Sequence, residues 1–441
     1  VRFNPAKQWR TASPPAGSEE DYQPAAFSAF TALPVAGRVP WSSCGYYLSA
    51  RPAFTFDPLL HAGCYYVQEA SSMFVEQALR QTSDLRKALR VLDLCAAPGG
   101  KSTLLQSLIS KDSLLVSNDV IKSRAAILEE NIIKWGASNV VVTNNDPAHF
   151  ARLQDYFDVI VVDAPCSGSG LFRKDAEAIS EWSENNVALC SQRQQRILAD
   201  VWPALKPGGI LIYATCSYSP AEDEAIIDWL LSTHEAGTLP LQLQEDWMIT
   251  TSFTAQHKAS TYRFFPGKTM GEGFFLAVLQ KNEAAASTAP RWPKTGLEKV
   301  SAKAEKACLP LIDASQPMLL FHQKEAIVAL PSIFEKDILL LQSALYIKKA
   351  GVVLGTLAGN TLLPDHQLAL STLAGENIPR ISLNVEQAIQ YLRKQEFTID
   401  TPHRGWARVT YHGYALGWIK MLEKRFNNYY PKEWRILKAP A

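Results

Sequence analysis

The stretch ALRVLDLCAAPGGKSTLL, residues 88–105, decides the fold of this chain. It opens on a short apolar run typical of a buried parallel strand, and it closes on the apolar spacing of a helix that begins near Gly100. The loop between them shares Gly100-Lys101-Ser102 with the phosphate-binding Walker A loop, G-x-x-x-x-G-K-[ST]. Cys95, however, stands where the first glycine of that loop belongs, and no convincing metal-binding carboxylate of the Walker B kind follows. The stretch therefore predicts a strand, a ligand-binding loop and a helix, with no metal site and a ligand other than a polyphosphate.

The alternation of strand and helix continues along the chain. Four more apolar runs of strand length follow, at 114–119, 139–146, 157–166 and 208–216. Helical patterns lie between them, at 121–135, 175–182 and 186–204. Gly136 is suited to cap the first of these helices at its C-terminus. This rhythm predicts an α/β fold, a doubly wound, Rossmann-like parallel sheet.

Composition excludes several classes of protein. In 441 residues, 44 basic and 43 acidic side chains give a net charge of +1, which excludes a generally basic nucleic-acid coat but not local patches. The seven cysteines are scattered, which favours a reducing, cytoplasmic compartment over a disulfide framework. No apolar run reaches the roughly 18 residues of a membrane-spanning helix, so we expect no membrane partner.

Changes in composition along the chain predict its domains. Residues 1–66 are expected to form a small accessory region, 67–281 a catalytic domain, 282–308 a linker, 309–375 a second accessory domain and 376–441 a terminal module. The last 41 residues hold eight Lys or Arg, two Glu and eight aromatic residues, a net charge of +6. This mixture suits phosphate contacts and base stacking on RNA, although a small core with a solvated basic face has the same composition.

Asp119, Asp146 and Asp163 end three successive predicted strands. Ligands of an open parallel sheet bind beyond the carboxyl ends of its strands, so these acids share a rim with the loop after the first strand. Carboxylates suit hydroxyls, an exocyclic amine and a sulfonium, and Asp119 follows Lys101 by 18 residues, about where a ribose-binding acid is expected. S-adenosyl-L-methionine fits these requirements. Each acid could instead merely cap the next helix.

Cys166 and Cys216 end two neighbouring strands, in the motifs DAPCSGSG and ATCSYSPAEDE. A single cysteine is more often a small core residue than a nucleophile, but two at the ligand-binding rim favour chemistry. Methylation of a pyrimidine at C5 needs a thiolate that adds to C6 and makes C5 nucleophilic towards a sulfonium methyl group. A second group, such as Cys166, is then needed for release. Asp163 would hydrogen-bond to the cytosine edge and protonate or polarise N3.

DLCAAPGGKS, DAPCSGSG and ATCSYSPAEDE closely resemble the signatures of the NOL1/NOP2/Sun (Fmu) family of RNA cytosine-5 methyltransferases. GCYYVQEASSM (63–73) resembles the entry to that family's catalytic domain, and VRFNPAK resembles its RNA-facing N-terminal region. The resemblance implies a class I S-adenosylmethionine methyltransferase fold. It also implies that Cys216, in T-C-S, is the nucleophile and that Cys166, in P-C-S, aids release, whereas DNA cytosine methyltransferases use the P-C cysteine as nucleophile. The cofactor-binding residues that it implies are Cys95, Ala96, Ala97, Pro98, Gly99, Gly100, Lys101, Asp119, Asp146 and Asp163.

The sequence HGYALGWIKMLEKRFNNYYPKEWRI (412–436) resembles the end of a PUA-like RNA-binding module. Bacterial small-subunit rRNA methyltransferases of the RsmF type carry such a module, whereas relatives that act on tRNA usually carry other appendages. The resemblance thus implies 16S rRNA or the small ribosomal subunit as partner, with the same chemistry on tRNA as the alternative. We expect the protein to act as a monomer.

Two functions of other kinds compete with this interpretation. An RNA-binding assembly factor could retain the fold without activity, but such a protein does not need both cysteines and all three acids. A methyltransferase that acts on protein or on an exocyclic nitrogen tends to end its fourth strand in N/D-P-P-Y/F, where this chain has DAPC. Such an enzyme also needs no thiol on the fifth strand.

Overall fold

The computed structural model describes residues 1–7, 33–174, 176–282, 296–313, 317–359 and 361–438. The N-terminal region contains short elements: β1 (Arg2–Phe3), β2 (Val35–Arg38), β3 (Tyr46–Leu48), helix α1 (Pro58–His61) and β4 (Tyr65–Tyr66). Strand β1 pairs antiparallel with β4, and β2 pairs with β3 in a hairpin. The pairing of β1 with β4 attaches the start of the chain to the entry of the catalytic domain.

The polar side chains of VRFNPAK are directed into the protein. Arg2 is fully buried, and its Nη2 atom donates to Thr103 Oγ1 at 2.5 Å. Asn4 Nδ2 donates to the carbonyl of Trp135 at 3.0 Å, and Lys7 Nζ donates to two backbone carbonyls at 2.5 and 2.6 Å. These three groups fasten the N-terminal region to the catalytic domain, and the RNA-facing role of the region as a whole stays a prediction.

The catalytic domain alternates strands and helices as predicted. Its elements are α2 (Val75–Thr82), β5 (Arg90–Asp93), α3 (Gly100–Leu108), β6 (Leu114–Asn118), α4 (Lys122–Trp135), β7 (Val140–Thr143), β8 (Phe157–Asp163), α5 (Ala176–Glu181), α6 (Glu184–Val201), β9 (Leu205–Thr215), α7 (Glu224–Thr233), β10 (Ala236–Thr238), β11 (Thr250–Phe253), β12 (Ser260–Phe264) and β13 (Phe274–Lys281). Helix α4 ends at Gly136, whose φ of 89° confirms the predicted cap.

Strands β5 to β9 are the five predicted parallel strands, in the order β7-β6-β5-β8-β9. Strands β13, β12 and β11 continue the sheet antiparallel beyond β9. Because β5 has β6 on one side and β8 on the other, the order of the strands reverses at β5. The crevice beyond the carboxyl end of β5 is therefore the ligand-binding position expected of this fold.

The sheet is buried on both faces, as its continuous apolar runs require. In β8, Ile160 and Val162 pack into one hydrophobic core, whereas Val159 and Val161 pack into the core on the opposite face. Side chains alternate between faces along a strand, so each strand joins both cores. The carboxyl ends of the strands consequently carry their loops on a rigid support.

The C-terminal third adds two small sheets. Its elements are α8 (Ala302–Cys308), β14 (Met318–Gln323), β15 (Ala326–Pro331), α9 (Glu335–Ala344), β16 (Ile347–Ala350), β17 (Val352–Ala358), β18 (Thr361–Pro364), α10 (His366–Leu370), β19 (Arg380–Ser382), α11 (Val385–Arg393), β20 (Gly405–Tyr411), β21 (Tyr414–Met421) and β22 (Phe426–Asn428). One sheet has the order β14-β15-β17-β18 and the other β19-β20-β21-β22. Of the predicted linker, residues 283–295 lie outside the described residues, and Ala302–Cys308 is helical.

The region 309–375 is joined to the catalytic domain through the sheet itself. Strand β16 pairs antiparallel with β7, so the central sheet has ten strands among the described residues. Arg90 in β5 forms two hydrogen bonds with the Asp337 carboxylate of α9, at 2.7 and 2.8 Å, and Tyr156 donates to the same carboxylate at 2.6 Å. We expected an accessory domain separate from the catalytic core, and the structure shows that it completes that core.

The terminal module shares its hydrophobic core with the N-terminal region. Phe3 and Tyr65 of that region lie in one cluster with Tyr391 and Leu416 of the terminal module. The two ends of the chain are thus packed together against the catalytic domain. No helix in the described ranges is long and apolar enough to cross a membrane.

Candidate active site

The loop after β5 carries Cys95, Ala96, Ala97, Pro98 and Gly99 and leads into α3 at Gly100. Gly99 has a φ of 117°, which residues with a Cβ rarely adopt, so a glycine is needed here. Helix α4 supports the loop, because Arg124 donates to the carbonyl of Ala97 at 2.8 Å and Asn131 to that of Pro98 at 2.8 Å. Side chains of helix α4 therefore hold the loop in place.

Lys101 turns away from the phosphate role that a Walker A loop would give it. Its ammonium lies 2.7 Å from Asp163 Oδ2 at the end of β8, and 5.3 Å from the centre of the Phe274 ring. Burial lowers the pKa of Lys101, but the Asp163 carboxylate outweighs that effect and raises it overall. This ion pair connects the loop after β5 with the end of β8.

Asp93 is a residue for which the sequence predicted no role. It ends β5 and is fully buried; Ser102 Oγ donates to its Oδ2 at 2.6 Å, while Oδ1 has no hydrogen-bond partner among the described residues. Burial raises the pKa of Asp93 to about 7. A buried, unpaired carboxylate oxygen is costly and points to a ligand that supplies its partner. Its position at the end of the first strand was the signal that could have identified it.

The other predicted acids lie at the ends of their strands. Asp119 is 2% exposed; one of its oxygens accepts from the backbone of Ile121 at 2.9 Å, and the other lies 3.5 Å from Arg124. Asp146 caps the 3₁₀ turn Pro147–Arg152, accepting from the backbone of Ala148 at 3.0 Å. Asp146 therefore acts as a cap, as the alternative interpretation proposed, whereas the bond from Ile121 to Asp119 forms a turn before α4 and does not cap that helix. Each acid uses only one carboxylate oxygen in its backbone bond.

Cys95 shows which of the acids lie together. Burial raises the pKa of its thiol, and the negative charges of Asp163, Asp93 and Asp119 raise it further. Cys95 is therefore a neutral thiol surrounded by three carboxylates. These carboxylates suit the sulfonium, amine and hydroxyl groups of S-adenosylmethionine, whereas Asp146 lies one strand further along the rim.

Cys166 and Cys216 meet at the ends of the adjacent strands β8 and β9. Their sulfur atoms are 3.2 Å apart, and both cysteines are free and partly buried. The hydrogen bond from the Cys166 thiol lowers the pKa of Cys216, and the positive charge of Lys101 lowers it further against the opposing effects of burial and Asp163. The same contact with Cys216, together with burial, raises the pKa of Cys166. The geometry favours a thiolate at Cys216 and a thiol at Cys166.

The loops that carry the two cysteines are joined behind the sulfurs. Glu222 is fully buried, and its carboxylate accepts from Ser167, which follows Cys166, and from Ser217, which follows Cys216. The sequence predicted no role for Glu222, although it lies within the ATCSYSPAEDE motif. The spacing of this motif alone does not show that Glu222 reaches the loop after β8, which carries Ser167.

A groove of about 800 Å³ lies between the N-terminal region and the turn after β12. Its walls include Tyr47 and Arg51 on one side and Arg173 and Lys268 on the other. It does not contain the two cysteines, but the loop that leads to Arg173 touches the backbone of Cys216, since Gly170 N–H donates to the carbonyl of Cys216 at 2.8 Å. The groove thus borders the pair of cysteines.

The strand order, the loop after β5 and the carboxylates at the strand ends define a class I S-adenosylmethionine-dependent methyltransferase. The chain matches the family models of the 16S rRNA methyltransferase RsmB/F over residues 80–280, the N-terminal domain of RsmF over 20–70 and the RsmF PUA domain over 378–436. It is 30% identical over 413 residues to ribosomal RNA small subunit methyltransferase F of Aeromonas hydrophila, covering 90% of this chain and 84% of the relative. The corresponding protein of Shewanella denitrificans is 31% identical over 447 residues, with 90% and 86% covered.

The chain therefore belongs to the ribosomal RNA small subunit methyltransferase F family, and the resemblance carried by the motifs is confirmed. Among solved structures, a methyltransferase homologue from Pyrococcus horikoshii is 30% identical, with a TM-score of 0.52 over 64% of this chain and 85% of that one. That similarity covers a methyltransferase fold, and the match to the PUA family model accounts for the end of the chain.

Proposed function

We propose that this protein methylates C5 of a cytosine in 16S rRNA and takes the methyl group from S-adenosylmethionine. The observation that carries the proposal is the pair of free thiols, 3.2 Å apart at the ends of β8 and β9. Methyl transfer to nitrogen or oxygen needs no thiol, whereas transfer to C5 of a pyrimidine needs one to add to the ring and benefits from a second group for release. An assembly factor without activity has no use for such a pair.

In the first step, the Cys216 thiolate adds to C6 of the cytosine and a sulfur–carbon bond forms. The C5=C6 double bond is lost, and its electrons make C5 nucleophilic. Cys216 suits this step because its pKa is lowered by the Cys166 thiol and by Lys101, so that more thiolate is present near neutral pH.

Asp163 and Lys101 would act on the polar edge of the ring. As a carboxylate, Asp163 accepts a hydrogen bond from the exocyclic amine of cytosine. The Lys101 ammonium, 2.7 Å from Asp163, places a positive charge beside the ring, where negative charge develops on N3 and O2 during addition. The pair thus favours cytosine and stabilises the adduct.

The bound cofactor would supply an electrophilic methyl group. Asp93, Asp119, Asp163 and the loop from Cys95 to Lys101 would hold it, with Asp146 one strand further along the rim. C5 takes the methyl group as the sulfonium carbon–sulfur bond breaks. Water would then take the proton on C5, and the electrons of that C–H bond would reform the C5=C6 bond and expel the Cys216 thiolate. Cys166, in contact with Cys216, would assist this release.

Binding of RNA is supported by the end of the chain and by the groove. Residues 378–436 match a PUA domain, and residues 401–441 carry a net charge of +6. Arg51 and Lys268 in the groove suit phosphates, and Tyr47 suits base stacking. The F-type relatives named above are rRNA methyltransferases, which favours rRNA over tRNA as substrate.

Bisulfite sequencing of 16S rRNA and tRNA from cells with and without the gene tests the proposal. We expect one cytosine of 16S rRNA to lose its protection in the deletion strain. The wild-type gene should restore that protection, and a Cys216→Ala gene should not. An unchanged pattern in 16S rRNA would contradict the proposal. Loss of protection at a tRNA cytosine would show that tRNA is the substrate instead.

A further inference from the structure

Glu222 lies in the turn before α7, behind the two cysteines. One carboxylate oxygen accepts from the Ser167 backbone N–H at 2.7 Å, and the other accepts from the hydroxyls of Ser167 and Ser217 at 2.6 Å each. Glu222 is fully buried, and both serines are less than 10% exposed. Hydrogen bonds to a buried carboxylate are stronger than bonds between neutral groups. These three bonds therefore constrain the two loops firmly.

The bonds hold the chain at the positions next to the reactive sulfurs. Ser167 follows Cys166 and Ser217 follows Cys216, so a single side chain is bonded next to both cysteines, in addition to the bond from Gly170 N–H to the Cys216 carbonyl. Strands β8 and β9 are paired only up to Asp163 and Ala214, which leaves the loops beyond them to be placed by other contacts. The sulfur–sulfur distance of 3.2 Å is thus set beyond the end of the sheet.

We propose that Glu222 is a positioning residue that keeps the Cys166 thiol in hydrogen-bonding contact with Cys216 before RNA binds. The inference depends on the proposed function only in assigning the Cys166–Cys216 contact a role in methyl transfer. The contact itself exists without RNA or cofactor. Reactivity of the Cys216 sulfur can therefore test Glu222 independently of methyl transfer.

The charge of Glu222 and its positioning role predict opposite effects of its removal on the pKa of Cys216. Removing a buried negative charge near Cys216 lowers the pKa of its thiol, whereas losing the Cys166 contact raises it. Glu222→Gln removes the charge. Its amide oxygen can still accept from Ser167 N–H, and its amide N–H can donate to the two serine hydroxyls. Glu222→Ala removes both the charge and the bonds.

The experiment measures the rate of Cys216 alkylation by iodoacetamide in the full-length protein as a function of pH, with the modified peptide resolved by mass spectrometry. We expect Glu222→Ala to raise the midpoint pH by about one unit, which is about a tenfold loss of thiolate below the midpoint. Glu222→Gln should leave the midpoint unchanged or lower it. Ser217→Ala removes one of the three bonds to Glu222, together with the bonds of the same hydroxyl to Ser169 and Ser219. It provides a milder variant if Glu222→Ala does not fold, and should raise the midpoint by less.

Asp228→Asn is the matched control. Asp228 is a buried carboxylate in α7, the helix that follows Glu222, and accepts from the backbone of Gln256 and His257, away from the cysteines. This variant should lose stability without moving the midpoint. In a Cys166→Ala background, Glu222→Ala should cause no further rise, because the contact is already absent.

Two outcomes would overturn the inference. A lowered midpoint in both Glu222 variants would mean that Glu222 acts through its charge alone, and an unchanged midpoint in a folded Glu222→Ala protein would mean that it is purely structural. A failed bisulfite experiment would refute the proposed function and leave this result standing.

Discussion

Cys166 and Cys216 are the same residue type on the same rim, yet their surroundings differ. Lys101 acts on Cys216, and the two sulfur atoms, 3.2 Å apart, share a hydrogen bond. The pKa of Cys216 is lowered as a result, whereas that of Cys166 is raised. This difference agrees with the roles that the T-C-S and P-C-S motifs imply.

Alanine variants should separate the two roles. Cys216→Ala should abolish methyl transfer and form no covalent RNA adduct, because nothing attacks C6. Cys166→Ala should still attack and transfer, then accumulate an enzyme–RNA adduct that survives denaturing electrophoresis. An adduct trapped by the Cys216→Ala protein would show that the roles are reversed. Near-normal activity in both variants would show that the cysteines are only core residues, whose replacement lowers the free energy of unfolding by about 1 kcal/mol.

Asp93 should make stability depend on pH. Its pKa is raised from 3.8 to about 7, so between these values the unfolded chain is ionised while the folded protein keeps the proton. The free energy of unfolding therefore falls as pH rises from about 4 to about 7 and stays level above that, by at most about 4 kcal/mol.

Asp93→Asn should remove this dependence. Denaturant unfolding of the ligand-free protein at a series of pH values should show the variant gaining on the wild type between about pH 4 and 7. The variant should also bind S-adenosylmethionine more weakly, because the unpaired oxygen is lost. Parallel pH profiles for the two proteins would show that Asp93 is ionised in the folded state.

Helix α4 connects the loop after β5 with the N-terminal region and with the accessory domain 309–375. Its side chains Arg124 and Asn131 hold the loop, and its last carbonyls accept from Asn4 and Lys7 of the N-terminal region. The carbonyl of Gly136, just beyond the helix, accepts from the backbone of Thr372 at 3.0 Å. This element thus places the loop relative to both accessory regions.

Asn131→Ala should weaken cofactor binding without touching the cofactor. Loss of its bond to Pro98 frees one side of the loop and should cost about 0.5–1.5 kcal/mol, a few-fold to about tenfold in Kd by calorimetry. Ile127→Ala, at an exposed position of the same helix, should leave the Kd unchanged. Equal losses in both variants would point to the helix as a whole.

Local signals account for what the sequence predicted at this scale. Apolar runs and Gly136 predicted the five parallel strands and the end of α4, since both depend on neighbouring residues. The inward direction of Arg2 and the pairing of β16 with β7 join residues about 100 to 200 positions apart, which no local pattern reveals. Asp93 was missed for a related reason, because its unpaired oxygen depends on how the strands pack.

At the scale of the whole molecule, the terminal module is packed too closely to be deleted cleanly. Its core is shared with the N-terminal region, so removing it would expose apolar side chains of both. Its basic surface is better tested at exposed positions. Lys424→Ala with Arg425→Ala should weaken RNA binding and make its salt dependence shallower by about 1.4–1.8 in log–log slope if each contacts one phosphate.

Lys87→Ala with Lys111→Ala removes the same charge near the amino ends of β5 and β6, on the opposite rim. This control should leave both the affinity and the slope unchanged, since the proposed active site lies on the carboxyl rim. Both measurements use filter binding over a series of salt concentrations, and cofactor affinity should stay constant throughout. Equal slopes for the wild type and the Lys424/Arg425 variant would place the RNA elsewhere.

Because β16 pairs with β7, the central sheet cannot be completed until late in the synthesis of the chain. While the ribosome makes residues 1–281, the catalytic sheet has its parallel strands, but the edge of β7, with the buried valines 140–142, has no neighbour until residues 347–350 emerge. An open apolar edge strand is a site of aggregation, and domains usually fold in order of synthesis. The nascent enzyme must therefore keep this edge covered over some 200 codons of translation, and chains that stop early should be targets for chaperones and proteases.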